Sequence, residues 1–295
     1  MRWVNRRSNR DLKVSSHLLP CFVHYLASHR FSASAKPGEN TVKTAAKKTL
    51  GYVVYEGPSA IDGAPIAVIC TLDSANDKTG NMVQTWILRT DVNPVEALQT
   101  GADVSICGEC PHRPILARAT GDAPCYVQVA KAPLGIWHAY HRGRYDRVSP
   151  RAAARLLSGR TIRIGSYGDP FAAPYSVWWE VTRFAAGWTG YTHQWRVAPV
   201  EWAYLVMASV DSTDERDIAH AMGWRTFRVS VGVDVRPGEI SCPASDEGGN
   251  RVQCIDCKLC AGQQKRAKDI VIADHATGAA TRVARRTIAI AVATI

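Results

Sequence analysis

Residues 203–231 read AYLVMASVDSTDERDIAHAMGWRTFRVSV: an apolar run, a polar segment of helical character, and a second apolar run. AYLVMASV (203–210) and TFRVSV (226–231) have the composition and length of strands. Between them, Ser212 and Glu215 form a capping box that opens STDERDIAHAMG, and Gly223 stops it. Two strands joined through one helix are expected to lie parallel, with a right-handed crossover.

The same rhythm extends in both directions. ADVSIC (102–107), TIRIGSY (161–167), WTGYTHQW (188–195), EISC (239–242) and DIVIADH (269–275) read as further strands. Ser149-Pro150 opens a helix over RAAARLLS that Gly159 closes, and Pro174 precedes a helix over YSVWWEVTRFAAG ending at Gly187. Upstream, GYVVYE (51–56), APIAVICTL (64–72) and MVQTWIL (82–88) are separated by Asp62-Gly63 and by the polar loop DSANDKTGN. They predict a small antiparallel sheet with Cys70 as a core residue. The expected fold is therefore α/β: a partial parallel β/α barrel over 91–295, preceded by a small N-terminal antiparallel β element over 49–90. An open doubly wound sheet is the alternative.

The net charge of +10 is concentrated at one end. Residues 1–48 carry ten Lys and Arg against Asp11 and Glu39, which leaves 26 basic and 24 acidic residues elsewhere. The body is nearly neutral, so nucleic-acid binding is expected only through the basic segment. That segment reads as a disordered leader, with a basic binding arm or a targeting peptide as alternatives. No run approaches the roughly 20 apolar residues of a membrane span, so no membrane partner is expected.

Seven of the nine cysteines fall into two groups. In a chain this long, that pattern favours metal binding and a reducing, cytoplasmic compartment over disulfides. ICGECPHR…CYV supplies Cys107, Cys110 and Cys125, with His112 beside them. VQCIDCKLCAG (252–262) supplies Cys254, Cys257 and Cys260, and Cys242 is the expected fourth ligand. A C-x2-C pair brings two thiolates to one ion, and C-x2-C-x2-C wraps three around one centre in the manner of ferredoxin-type clusters. An iron–sulfur cluster is the expected cofactor and zinc the alternative. The first group, with three cysteines and an open position, is the expected reactive centre. A single site shared by Cys107, Cys110, Cys125 and Cys242 is a different division of the same ligands.

In β/α barrels the C-terminal ends of the strands build the site. The runs above end in Cys107, in Ser166-Tyr167-Asp169, in His193-Gln194, in Ser209-Asp211, in Cys242 and in His275. Tyr167, Asp169, His193 and Gln194 are the candidate catalytic residues around a small-molecule ligand, whereas Ser209 and Asp211 read as ordinary polar strand ends. Gly165, Ser166 and Gly168 of the Gly-rich RIGSYGDP are candidate cofactor contacts, although no Walker or G-x-G-x-x-G pattern is present. Both cysteine groups are expected on one rim.

KTGNMVQTWIL, ICGECPHR…CYV, IRIGSYGDP, GYTHQW, GWRTFRV and C-x2-C-x2-C occur in this order. Over about residues 75–275 the chain thereby resembles an uncharacterised family seen in bacteriophage and bacterial genomes, which for a phage protein implies the host cytoplasm. More distantly, a barrel with cysteines after its first strand is similar to the radical S-adenosylmethionine (SAM) enzymes. That likeness implies a 4Fe-4S cluster and S-adenosylmethionine as cofactors. Those enzymes use C-x3-C-x2-C, whereas here C-x2-C is followed by a third cysteine after fourteen intervening residues. The non-catalytic alternative is a zinc-stapled module that binds nucleic acid or a host protein.

Overall fold

A computed structural model describes residues 49–117, 125–230, 232, 234–264 and 266–274. The basic segment 1–48 and His275 lie outside the described residues.

The chain begins as an antiparallel meander of β1 (Gly51–Pro58), β2 (Pro65–Thr71) and β3 (Val83–Arg89). PIAVICT of β2 is apolar almost throughout because both faces are covered: Ile66 through Cys70 are all fully buried. Each large aliphatic side chain buried in this way contributes about 1.5–3 kcal/mol. There follow α1 (Pro94–Thr100), α2 (Val104–Cys107), α3 (Pro114–Ala117), α4 (Ala132–His141), the short β4 (Asp146–Arg147) and α5 (Pro150–Leu156). Asn93 caps α1 by accepting from the Val95 and Glu96 amides, and Gly101 ends it in the left-handed region. Ser149 caps α5 as its sequence predicts.

The β/α alternation then sets in. β5 (Thr161–Tyr167) lies parallel to β3, and α6 (Tyr175–Val181) leads to β6 (Gly187–Thr189), parallel to β5. Next come β7 (Tyr191–Thr192), α7 (Trp202–Leu205), β8 (Met207–Val210), α8 (Thr213–Ala221), β9 (Thr226–Ser230), β10 (Glu239–Ser241), α9 (Cys254–Cys257) and β11 (Asp269–Ala273). One mixed sheet has the order β4-β1-β2-β3-β5-β6, and a second, wholly parallel sheet has the order β10-β11-β9-β8-β7. β6 and β7 are separated only by Gly190, so one extended segment serves both sheets. A Cβ at Gly190 would lie 2.9 Å from the Val206 side chain and 3.0 Å from that of Ile164, which explains a glycine at this transfer point.

The expected α/β class is present as one mixed and one parallel sheet, and among the described residues no ladder joins β10 to β4. The antiparallel strands of 49–90 share their sheet with β5. One reading is corrected: ADVSIC is no strand, because residues 104–107 are the helical turn α2, with Asp103, Ser105 and Ile106 buried. Its alternation of apolar and polar residues mimics a period of two, but the carboxylate at 103 is held in the interior by Arg113. AYL of the opening stretch likewise belongs to α7, and only MASV is strand. No helix among the described residues is long and apolar enough to cross a membrane.

Candidate metal centres

The segment CGECPHR is built around an arginine. Arg113 donates from Nε and Nη2 to the two carboxylate oxygens of the fully buried Asp103 at 2.9 and 2.8 Å. Nη1 reaches the Gly108 carbonyl at 3.3 Å, and Nη2 also reaches that of Gly101 at 2.9 Å. One guanidinium thus clamps both ends of the turn that carries Cys107. Gly108 has φ of 55°, and a Cβ there would sit 2.4 Å from Nε2 of Gln194, whose amide donates to the Cys107 carbonyl.

Around this turn gather the thiols of Cys107, Cys110 and Cys125. Burial raises all three, and for Cys107 the nearby charges of Cys110, Asp103 and Cys125 raise it further. Such thiols stay protonated until a cation arrives, so metal binding would release their protons. Tyr167, fully packed beside Cys107, has a hydroxyl without a hydrogen-bond partner.

Asp169, a catalytic candidate from the sequence, has both carboxylate oxygens engaged by its surroundings. Its Oδ1 accepts from the Phe171 amide at 2.9 Å and from Thr192 Oγ1 at 2.6 Å, while Oδ2 accepts the His193 amide at 2.8 Å. Gln194 is locked as described above. Gly165 and Gly168 both have positive φ and face the protein: a Cβ at Gly168 would meet Ile87 Cβ at 2.8 Å, and one at Gly165 the Gly168 carbonyl at 2.9 Å. Their glycine character is thus explained by the turn itself. Ser166 borders the cavity described below and donates to Gln84 Oε1 at 2.6 Å.

His193 points its Nε2 towards Cys110 Sγ (4.0 Å) and towards Asp211 Oδ2 (3.8 Å). His112 Nε2 is 2.7 Å from Asp211 Oδ1, and the two imidazole centroids are 5.4 Å apart. Asp211 is held by Glu215, whose Oε2 accepts the Asp211 amide at 2.8 Å while Ser212 Oγ accepts that of Glu215. The capping box therefore acts one residue upstream of its usual target. Asp211 reads in the sequence as a polar strand end; its place just before the box is the available signal.

Burial moves Asp169 and His193 in opposite directions. The carboxyl of Asp169 is raised to about 6 by burial despite its hydrogen bonds, and His193 is lowered to about 4 by burial, against the pull of Asp211. Between about pH 4 and 6 acidification therefore favours the folded state through Asp169 and disfavours it through His193. His193→Gln removes the second effect. The variant is expected to gain on the parent protein by up to about 1.4 kcal/mol per pH unit as pH falls from about 6.5 to 4. Urea midpoints of both metal-free proteins across that range measure this, and a pH-independent difference would contradict it.

The second group is assembled from several separate parts of the chain. Cys242 directly follows β10 and donates its amide to the Val271 carbonyl of β11. The triplet begins on α9, whose Cys254 and Ile255 amides are accepted by the Lys78 and Thr79 carbonyls. Gly80 packs on Gln253 and Ile255, so KTG of the polar loop is the dock for the cysteine run. The Cys260 carbonyl accepts the Gly190 amide between the two sheets. Arg225 donates to the carbonyls of Leu259, Gly262, Ala267 and Lys268, closing the loop after the triplet. Burial is the largest cause that raises Cys242, Cys254 and Cys260, and the charge of nearby Cys257 raises each of them further. Lys78 and Arg163 oppose that rise at Cys254.

KTG leads into the start of β3, while Ile87 near its end packs against the α2 region through Gly168. A cavity of about 620 Å³ joins the two groups, bordered by Cys125 and His112 on one side and by Cys242, Cys254 and Cys260 on the other. Tyr191 and Phe227 stack in its wall (4.5 Å, 14°), and Arg163 donates to Tyr191 Oη at 3.4 Å.

Among the described residues, the only trio of His, Cys, Asp or Glu whose ligand atoms all lie within 4.8 Å of one another is His112, His193 and Asp211. No three of the seven thiols come that close. No family model, curated protein or solved structure matches the chain.

Proposed function

We propose that the protein binds two iron–sulfur clusters on either side of its cavity and uses them in electron transfer to or from a small molecule held there. One observation carries this reading: the thiols of each set lie near enough for charge on one to raise another, yet no three of them have sulfurs within 4.8 Å of one another. Four thiolates on a zinc at about 2.3 Å each stand about 3.8 Å apart. On a cluster each thiolate binds a different iron, so wider spacing fits.

Cys242, Cys254, Cys257 and Cys260 would hold a closed, electron-relaying centre. Cys107, Cys110 and Cys125 would hold the reactive one, with an iron position left for a ligand. The β/α series is taken here as an arc of a barrel, with the stacked Tyr191 and Phe227 facing a planar substrate or cofactor such as S-adenosylmethionine. The resemblance to phage proteins suggests action in a host cytoplasm.

Anaerobically purified protein is expected to be brown, to absorb at about 400 nm, and to carry more than one iron per chain by elemental analysis. A colourless protein with stoichiometric zinc and no iron would overturn the reading in favour of a zinc-stapled binding module.

A further inference from the structure

We infer that His112, His193 and Asp211 form a third metal site, for a single divalent ion of the zinc type, separate from both cysteine groups. The three come from distant parts of the chain, and each is fixed by a different device. His112 is adjacent to the clamped Arg113, His193 has its amide on buried Asp169, and Asp211 has its amide on Glu215. Both imidazoles turn Nε2 towards one carboxylate, at 2.7 and 3.8 Å. Donors about 2.0–2.1 Å from a tetrahedral zinc lie about 3.3 Å from one another, which these distances bracket. The spacing is too tight for a polynuclear cluster and suits one ion.

The donor chemistry points the same way. Two neutral imidazoles and a carboxylate form the set used by open catalytic zinc sites and by mononuclear iron(II) sites. Nδ1 of His112 is buried and has no hydrogen-bond partner, so Nε2 is the only ring nitrogen that meets a polar group. The side chains of the three residues are 19%, 17% and 25% exposed, enough for an ion to enter. His193 and Asp211 border a small pocket of about 120 Å³, and His112 borders the large cavity. Space for a solvent or ligand donor is therefore present at the ion. Cys110, 4.0 Å from His193 Nε2, belongs to the thiol set and lies at the edge of this one.

The test uses the full chain, purified without oxygen, treated with a chelator to strip loosely held ions, and titrated with Co²⁺ alone. Bound cobalt after gel filtration and its visible d–d absorption are read beside iron content. The parent protein is expected to bind about one equivalent more Co²⁺ than His112→Ala or Asp211→Asn, with iron unchanged in all three. Asp211→Glu, which keeps a carboxylate donor, should recover part of the cobalt. Should His112→Ala fail to fold, as judged by its circular dichroism, the Asp211 pair decides. Equal cobalt uptake by parent and variants would overturn the site. So would loss of iron together with cobalt, which would assign the histidines to the cluster. A parent protein without iron that still shows the cobalt difference would leave this site standing and remove the iron–sulfur reading.

Discussion

Arg113→Ala is expected to cost the protein about 3–5 kcal/mol and to empty the first cysteine group while leaving the second filled. The cost follows from what is left behind: Asp103 is fully buried and both its carboxylate oxygens accept from that guanidinium. A buried carboxylate deprived of its partner loses about this much stability. The selectivity follows from the other two bonds of Arg113, to Gly101 and Gly108, which hold the turn bearing Cys107. Arg113→Lys keeps the charge but cannot make the two-pronged contact, so an intermediate loss is expected. Urea denaturation and iron per chain measure both parts. Unchanged iron alongside a large loss of stability would separate the clamp from the metal.

Cys257→Ser is the complementary experiment. With one thiol gone, three remain, and burial already opposes deprotonation at Cys242, Cys254 and Cys260. The second centre is expected to be lost, iron to fall by about half, and the melting temperature to drop sharply. Metal binding to such sites is worth about 10–16 kcal/mol in small zinc domains, and part of that is folding free energy. Cys107→Ser should remove the other half of the iron with a smaller drop in melting temperature. Complete loss of metal from each single variant would refute two independent centres.

Much of this was legible because it is local. Ser212 capping α8, Ser149 capping α5 and the strands at 161–167 and 226–230 each depend on residues within one turn or one strand. That Cys242 lies near the triplet agrees with the strand that precedes it. What could not be read depends on partners far along the chain. ADVSIC is helical where Asp103 meets Arg113, and nothing within those six residues announces that contact. The polar loop DSANDKTGN looked like a plain turn, yet its carbonyls receive amides from residues 254 and 255. Asp211 gained its role from histidines 99 and 18 positions away, visible only once the strands are side by side.

The order of the second sheet bears on how the protein matures. β10 pairs with β11 alone, and β11 lies between β10 and β9. Cys242, directly after β10, therefore has no seat until a strand synthesised after the whole cysteine triplet has docked on β9. A nascent chain that has just emerged past Cys260 owns all four thiols and yet has nowhere to hold them. If this centre holds metal as proposed, its loading is a late checkpoint, passed only when the long-range pairing that slows folding is complete. Thiols in a stalled or truncated chain would instead be left to oxidants and to stray metal ions.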